Sequence, residues 1–466
     1  MEVTRLRRSA RVILPGALAL GLSLWALPAT ATHNADDHSP NMQHKSHVPR
    51  SSAATQSDIA FVGKWAFAGN YNGFRILDTS DPDNPVVVRD VWCPGPQNDI
   101  SVWGDAIVLS VDSVRLANSA RPGAEASDCD SVTAGGAQTL DPDGWEGLRV
   151  FSLSDVLAMT PDPDGFVRPT APATAIYTDC GSHTHTGVPH GDHVDVYVSS
   201  YPLRDGPGCG PGNPQGEDPL HKKISIAKID PDDPSNSSFL KEVPIDVPTW
   251  DIADLIGPTP GFNPMQGCHD IQVHLGLDQA AAACSGVGQL WDISDPENPD
   301  TLNFEWEVDE PDVQFYHSAL FSQDTDTVIF GDEIITGHCS DGTGSGQLWF
   351  HDRSSGDTDG SFQIPRNQGG AYCSAHMFNN IPTSRRDVLV SAWYGGGVTV
   401  VDFGDRANAT EIGYYDVPGN SIWSAYWYNG FIQGSDIPSG HRIYLLSDNA
   451  RAGATRVSEL NPQTQF

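Results

Sequence analysis

Residues 58–92 read DIAFVGKWAFAGNYNGFRILDTSDPDNPVVVRDVW, and this stretch decides the fold. Four short apolar runs, IAFV, WAFAG, FRILD and PVVVRDV, alternate with turn-forming residues. Runs of this length bounded by Gly, Asn, Asp and Pro predict a four-stranded antiparallel meander. The segment DPDNP at 81–85 predicts a turn, because Asx side chains bond the local backbone and Pro presets φ.

The pattern returns along the chain. GQLWDISDPENP at 288–299 echoes it, and VTVVDFGD at 398–405 echoes it in part. Matching unit starts follow at Asn98, His183, Cys268, Tyr316, Ala375 and Ile422, which with Asp58 makes seven units of about 56 residues. Four strands of about six residues with their turns need about 40–50. The surplus falls in two Gly/Pro/Asp/Ser-rich insertions, roughly 113–146 and 201–222, which predict surface loops. Such units cannot each bury both faces alone, and radial stacking solves this. The expected fold is all-β, a seven-bladed β-propeller of four-stranded antiparallel blades. A two-sheet sandwich would not explain seven matching units. The seventh unit shows only IWSAYW, GFIQGS and RIYLLS, so its fourth strand comes from the N-terminal lead-in or from Arg456 to Leu460.

Outside the repeat, residues 1–31 read as a secretory signal peptide. Arg5, Arg7, Arg8 and Arg11 precede an apolar run, and Ala29-Thr30-Ala31 forms a cleavage site. Residues 32–57 read as a flexible lead-in carrying His33, His38, His44 and His47. Residues 58–449 are the propeller and 450–466 a C-terminal tail. No later run is long enough for a membrane span. Net charge is −34, from 26 Lys+Arg against 60 Asp+Glu, and loss of the leader removes four Arg and one Glu. Nucleic acid and anionic membranes are therefore poor partners, whereas cations are drawn in. Much of the acid is Asp in inter-strand turns, with no acidic tail.

The segments FRILDTSDPDNPVVV, QLWDISDPENP and VTVVD resemble the LVIVD-repeat propeller proteins of bacteria and archaea, over roughly residues 58–449. The resemblance implies a β-propeller outside the cytoplasm and implies no settled reaction. The insertions, and the loss of the Asp-Pro turn in later units, depart from that pattern.

Aligned at the first strand of each unit stand Asn98, His183 or His185, His269, His317, His376 and Trp423. Four of the seven units thus carry His at one register, although only 16 of 466 residues are His. The first strand of a blade lines the channel, so these imidazoles would converge on the axis. Such a set suits a transition metal, Cu or Zn above all, with Asp99 and Asp270 as acceptors that orient the rings. The competing reading is that each His closes the ring by donating to a neighbouring carbonyl. On register alone the channel also resembles the selenium-binding-protein propellers (methanethiol oxidases), which implies copper. His190 and His193 fall on the next turn and strand, as weaker candidates.

Eight cysteines in an exported chain predict disulfides. The expected pairs are Cys93–Cys129, Cys180–Cys209, Cys268–Cys284 and Cys339–Cys373, bracing the rim around the His channel. Asp332-Glu333 is a candidate carboxylate pair near the channel. Asp141–Gly144 and Asp162–Gly165 read as turns, and Trp250, Tyr316, Tyr372, Trp393 and Trp423 as candidate stacking residues. Three functions compete: a secreted, monomeric scaffold for a protein, peptide or glycan; a copper- or zinc-type extracytoplasmic oxidoreductase; and a metal-storage or sensing protein.

Overall fold

The computed structural model describes residues 36–112, 127–129, 145–202, 209, 220–258, 263–333, 346–366, 373–384 and 387–466. The leader, His33, Asp141–Gly144, His338, Cys339 and Tyr372 lie outside these residues. The chain forms a seven-bladed β-propeller of four-stranded antiparallel blades, as the repeat predicts. The first strands are Gln56–Val62, Gln97–Trp103, Thr184–His190, Asp270–His274, Tyr316–Phe321, Ser374–Asn380 and Ile422–Tyr428.

The core is distributed between blades. One apolar cluster joins blades 1 and 2 through Phe67, Phe74, Ile100 and Leu109. Others join 2 to 3 (Val108 with Val196), 3 to 4 (Ile224 with Val273) and 4 to 5 (Leu290 with Phe330). The circle continues from 5 to 6, 6 to 7 and 7 to 1. Each fully buried aliphatic or aromatic side chain contributes about 1.5–3 kcal/mol, and no blade gains this without both neighbours. Tight glycines recur where the third strand starts. Gly73 (φ +139°) and Gly147 (φ +138°) lie so close to the Val91 and Ile176 carbonyls of the fourth strand that a Cβ would collide with them.

The Asx turns form as expected. The Asp81 carboxylate accepts from the Asp83 amide at 3.0 Å and from Asn84 Nδ2 at 3.0 Å. Asp295 and Asn298 repeat the pairing at 2.8 Å. Asp405 and Asn408 keep it at 3.0 Å, although Pro is gone. At the Asp162–Gly165 turn, Arg168 occupies the carboxylates, bonding Asp162 at 2.7 Å and Asp164 at 2.6 Å.

The lead-in departs from its reading as a flexible segment, and the C-terminal tail is built into the propeller. Met42–Pro49 is the missing fourth strand of blade 7, pairing antiparallel with Gly440–Leu446, and Asp37–His38 adds to blade 6. Alternation places Met42 and Val48 in the core, which holds the strand in place. Arg456 to Leu460 does not fill that position; Glu459–Leu460 instead pairs with the first strand of blade 1. The last residues then enter the channel. Asn461 bonds both backbone groups of Val102 at 2.8 Å, and Gln463 Nε2 donates to Asp58 at 3.1 Å. Thr464 donates to the Gly187 carbonyl at 2.6 Å, and Gln465 bonds Phe321 N and O at 2.9 Å. The Pro462 carbonyl accepts from Gln272 and Asn379. The tail thus touches the first strands of six blades and closes the channel at the end opposite the strand starts.

Candidate metal centre at the channel mouth

First strands begin at the axis, and a local bulge sets the aim of their opening side chains. Pairing slips around His317 in blade 5, His376 in blade 6 and Trp423 in blade 7. A bulge turns the extra residue out of the pleat, and here it turns toward the mouth. His183 and His269 immediately precede their strands and bond to the neighbouring strand from there.

Four imidazoles follow one another around the mouth. Ring centroids lie 4.3 Å apart for His183–His269, 3.8 Å for His269–His317 and 4.2 Å for His317–His376, and Trp423 continues the series at 4.9 Å. All four His are buried. The register therefore converges, and His183 rather than His185 joins it. His185 lies deeper, bonded to Ser101 at 2.7 Å and Ser110 at 2.8 Å, and does not line the mouth. The expected ring-orienting role of Asp99 and Asp270 is not seen at these imidazoles. Asp99 serves His185, and Asp270 accepts from Thr184 Oγ1.

Other groups fix the rings. His269 Nδ1 donates to the His317 carbonyl at 3.0 Å, and His376 Nδ1 donates to the Trp423 carbonyl. His183 Nδ1 donates to Asp112 Oδ2 at 2.8 Å, while Gln97 contacts its Nε2 at 3.0 Å. Carbonyls and carboxylates only accept, so Nδ1 carries the proton in each case. Burial, reinforced by the neighbouring imidazoles His183 and His376, holds His269 well below the usual imidazole range. Burial and the His269, His376 and His183 rings do the same to His317, and burial lowers His376 to about 3. At His269 and His376 the outward Nδ1–H leaves the Nε2 lone pair for the mouth, whereas Gln97 contacts Nε2 of His183 and Nδ1 of His317 has no hydrogen-bond partner among the described residues. Ring closure and metal readiness thus use different nitrogens of the same side chain.

A carboxylate completes the set. Glu333 is buried, with Oε2 3.6 Å from His317 Nε2. Burial, then the adjacent Asp332, raises it to about 8. Ligand atoms of His269, His317 and Glu333 lie within 4.8 Å of one another. Asp332 is occupied otherwise, accepting from the amides of Gln314, Phe315 and Gly346. The space among these side chains is about 20 Å³, room for one ion or water and too small for an organic ligand. The sequence names Glu333 only as one of a pair, and it does not single out Tyr71, Gln97, Asp112, Tyr201 or Tyr394. Asp112 and Glu333 each directly follow a second strand, as does Tyr71, so a second register at that position would have found them. Of the candidate stacking residues, only Trp423 lines the mouth among those described. Trp250, Tyr316 and Trp393 are buried in packing.

The rim carries the predicted bridges. Cys93–Cys129, Cys180–Cys209 and Cys268–Cys284 are formed. Cys373 is also disulfide-bonded, and the expected partner Cys339 lies outside the described residues. The insertions leave blades 2 and 3 between second and third strands. Cys180–Cys209 therefore ties blade 3 to the segment that leads into His183, and Cys93–Cys129 ties blade 2 to the segment that leads into Asn98.

Fold and site together define a seven-bladed β-propeller with an imidazole-lined mouth at one end of its channel. No protein-family model and no curated protein matches the sequence. The chain is similar in fold to the WD40 β-propeller domain of Doa1, at 10% identity and TM-score 0.50, over 88% of this chain and 99% of that one. A computationally designed protein, Ika8, aligns at 9% identity and TM-score 0.46 over 86% of this chain and 99% of that one. The likeness to the Doa1 domain shows the propeller fold and nothing finer. Among the described residues no helix is long and apolar enough to cross a membrane.

Proposed function

We propose that this chain is an extracytoplasmic, LVIVD-like β-propeller that holds one transition-metal ion at its channel mouth, on His269, His317 and Glu333. The observation that carries the reading is the meeting of His269, His317 and Glu333, whose ligand atoms lie within 4.8 Å of one another, with His269 Nδ1–H donated away from them to a carbonyl. Metal-binding imidazoles are typically fixed in this way by an acceptor behind the ring. Two imidazoles and one carboxylate with open positions suit Zn, Cu or Fe. His183 and His376 stand beside the three donors, and the negative charge of the chain favours a cation. Binding the ion would release the Glu333 proton to solvent, so affinity rises with pH up to about 8.

The disulfides and the leader support export. The propeller is a scaffold consistent with binding. A protein, peptide or glycan partner would sit on the insertion-bearing rim, because the mouth itself is too small. The test is metal content of protein purified without chelator or affinity tag, parent against His317→Ala. Loss of one ion per chain supports the reading, and equal content in both sinks it. Oxygen or thiol turnover by the loaded protein then separates an oxidoreductase from storage or sensing.

A further inference from the structure

A second donor cluster lies at the opposite end of blade 3. The hairpin between its first two strands carries His190 and His193, and Asp195 follows on the second strand. Glu297, from the Asp-Pro-Glu-Asn turn of blade 4, completes the group. His190 Nδ1 lies 3.1 Å from Asp195 Oδ2, His193 Nε2 lies 3.3 Å from Asp195 Oδ1, and His193 Nε2 lies 4.0 Å from Glu297 Oε1.

The arrangement is incomplete without a positive species at its centre. His193 Nδ1 faces the Asp192 carboxylate at 3.0 Å, and in the neutral imidazole, the form that binds metal, donating there leaves Nε2 as a lone pair. That lone pair faces Asp195 Oδ1, another acceptor. Both atoms are buried, and neither has a hydrogen-bond partner. The Asp195 side chain is fully buried and that of His193 is 10% exposed. Two buried acceptors at 3.3 Å repel unless something bridges them. Bonds of about 2.0 Å from a tetrahedral ion place neighbouring donors about 3.3 Å apart.

We infer that His190, His193, Asp195 and Glu297 form a closed, four-donor zinc site that staples the first hairpin of blade 3 to a turn of blade 4. Two imidazoles and two carboxylates fill a tetrahedron and leave no open position, so this ion is structural. It binds the folded chain alone and raises stability with zinc concentration. The inference rests on its own residues and not on the mouth reading.

The experiment uses the full mature chain with the mouth disabled by His269→Ala/His317→Ala, stripped by chelator and titrated with Zn²⁺. One zinc equivalent should bind with a rise in Tm. Adding His193→Ala should weaken binding at least about 100-fold and abolish the Tm rise. Co²⁺ in the same protein should give the strong visible bands of tetrahedral coordination. Should the His193→Ala chain fail to fold, Glu297→Gln, at an exposed turn, should still weaken zinc at least about tenfold. No zinc bound to the mouth-disabled chain, or binding indifferent to both variants, overturns the inference. Zinc bound there with no metal lost in His317→Ala alone would sink the mouth reading and leave this one standing.

Discussion

The two ends of the channel are built by different means. The mouth is made by the repeat itself: one register, occupied by His in four successive blades and aimed in two of them by bulges at His317 and His376. The other end is made by a segment that occurs once. Asn461, Gln463, Thr464 and Gln465 reach the first strands of several blades and fill the axis with amides and a hydroxyl. A sevenfold architecture thus carries a donor cluster at one end and a polar plug at the other. Access to the mouth is left to one face, the face that carries the disulfides.

The sharpest way to break this comparison is to remove the plug. Deleting residues 461–466 takes away bonds to six blades, and at about 1 kcal/mol each the loss is on the order of 5 kcal/mol. Urea unfolding should show it as a lower midpoint. A change below about 1 kcal/mol would mean that the tail merely rests in the channel. At the mouth, Cys93→Ser/Cys129→Ser opens a 36-residue loop. The expected cost is about 3–4 kcal/mol by the same assay. An unchanged midpoint would show that the bridge does not brace the rim.

Asp58 ties the plug to the channel wall. It accepts from Gln463 of the plug and from Tyr426, and burial, then Asp99, raises it to about 7. The folded chain therefore keeps a proton that the unfolded chain releases above about pH 4. Stability from this group is present below that pH and is lost as pH rises to about 7. Asp58→Asn should remove up to about 1.4 kcal/mol per pH unit of that fall. Parallel stability–pH curves for parent and variant would contradict the assignment.

How much of this was legible follows from repetition. The fold was readable because DPDNP, DPENP and the strand patterns recur, and the His register because it shares their spacing. The missing blade 7 strand was narrowed to two segments; the burial of Met42 and Val48 decides between them. The plug was hidden because polar Gln463 and Gln465 in a terminal segment have no period to betray them. Glu333 was visible only as one of a pair, since burial and not spacing separates it from Asp332. Asp112 was hidden because its partner, His183, is 71 residues away.

The most direct test of the central claim is metal stoichiometry. Parent, His317→Ala and His193→Ala chains are incubated in turn with Zn²⁺, Cu²⁺ and Fe²⁺, dialysed, and measured by elemental mass spectrometry. For at least one metal, His317→Ala should retain one ion per chain fewer than the parent, whereas His193→Ala should keep the mouth ion. Equal retention by parent and His317→Ala for all three metals would contradict it.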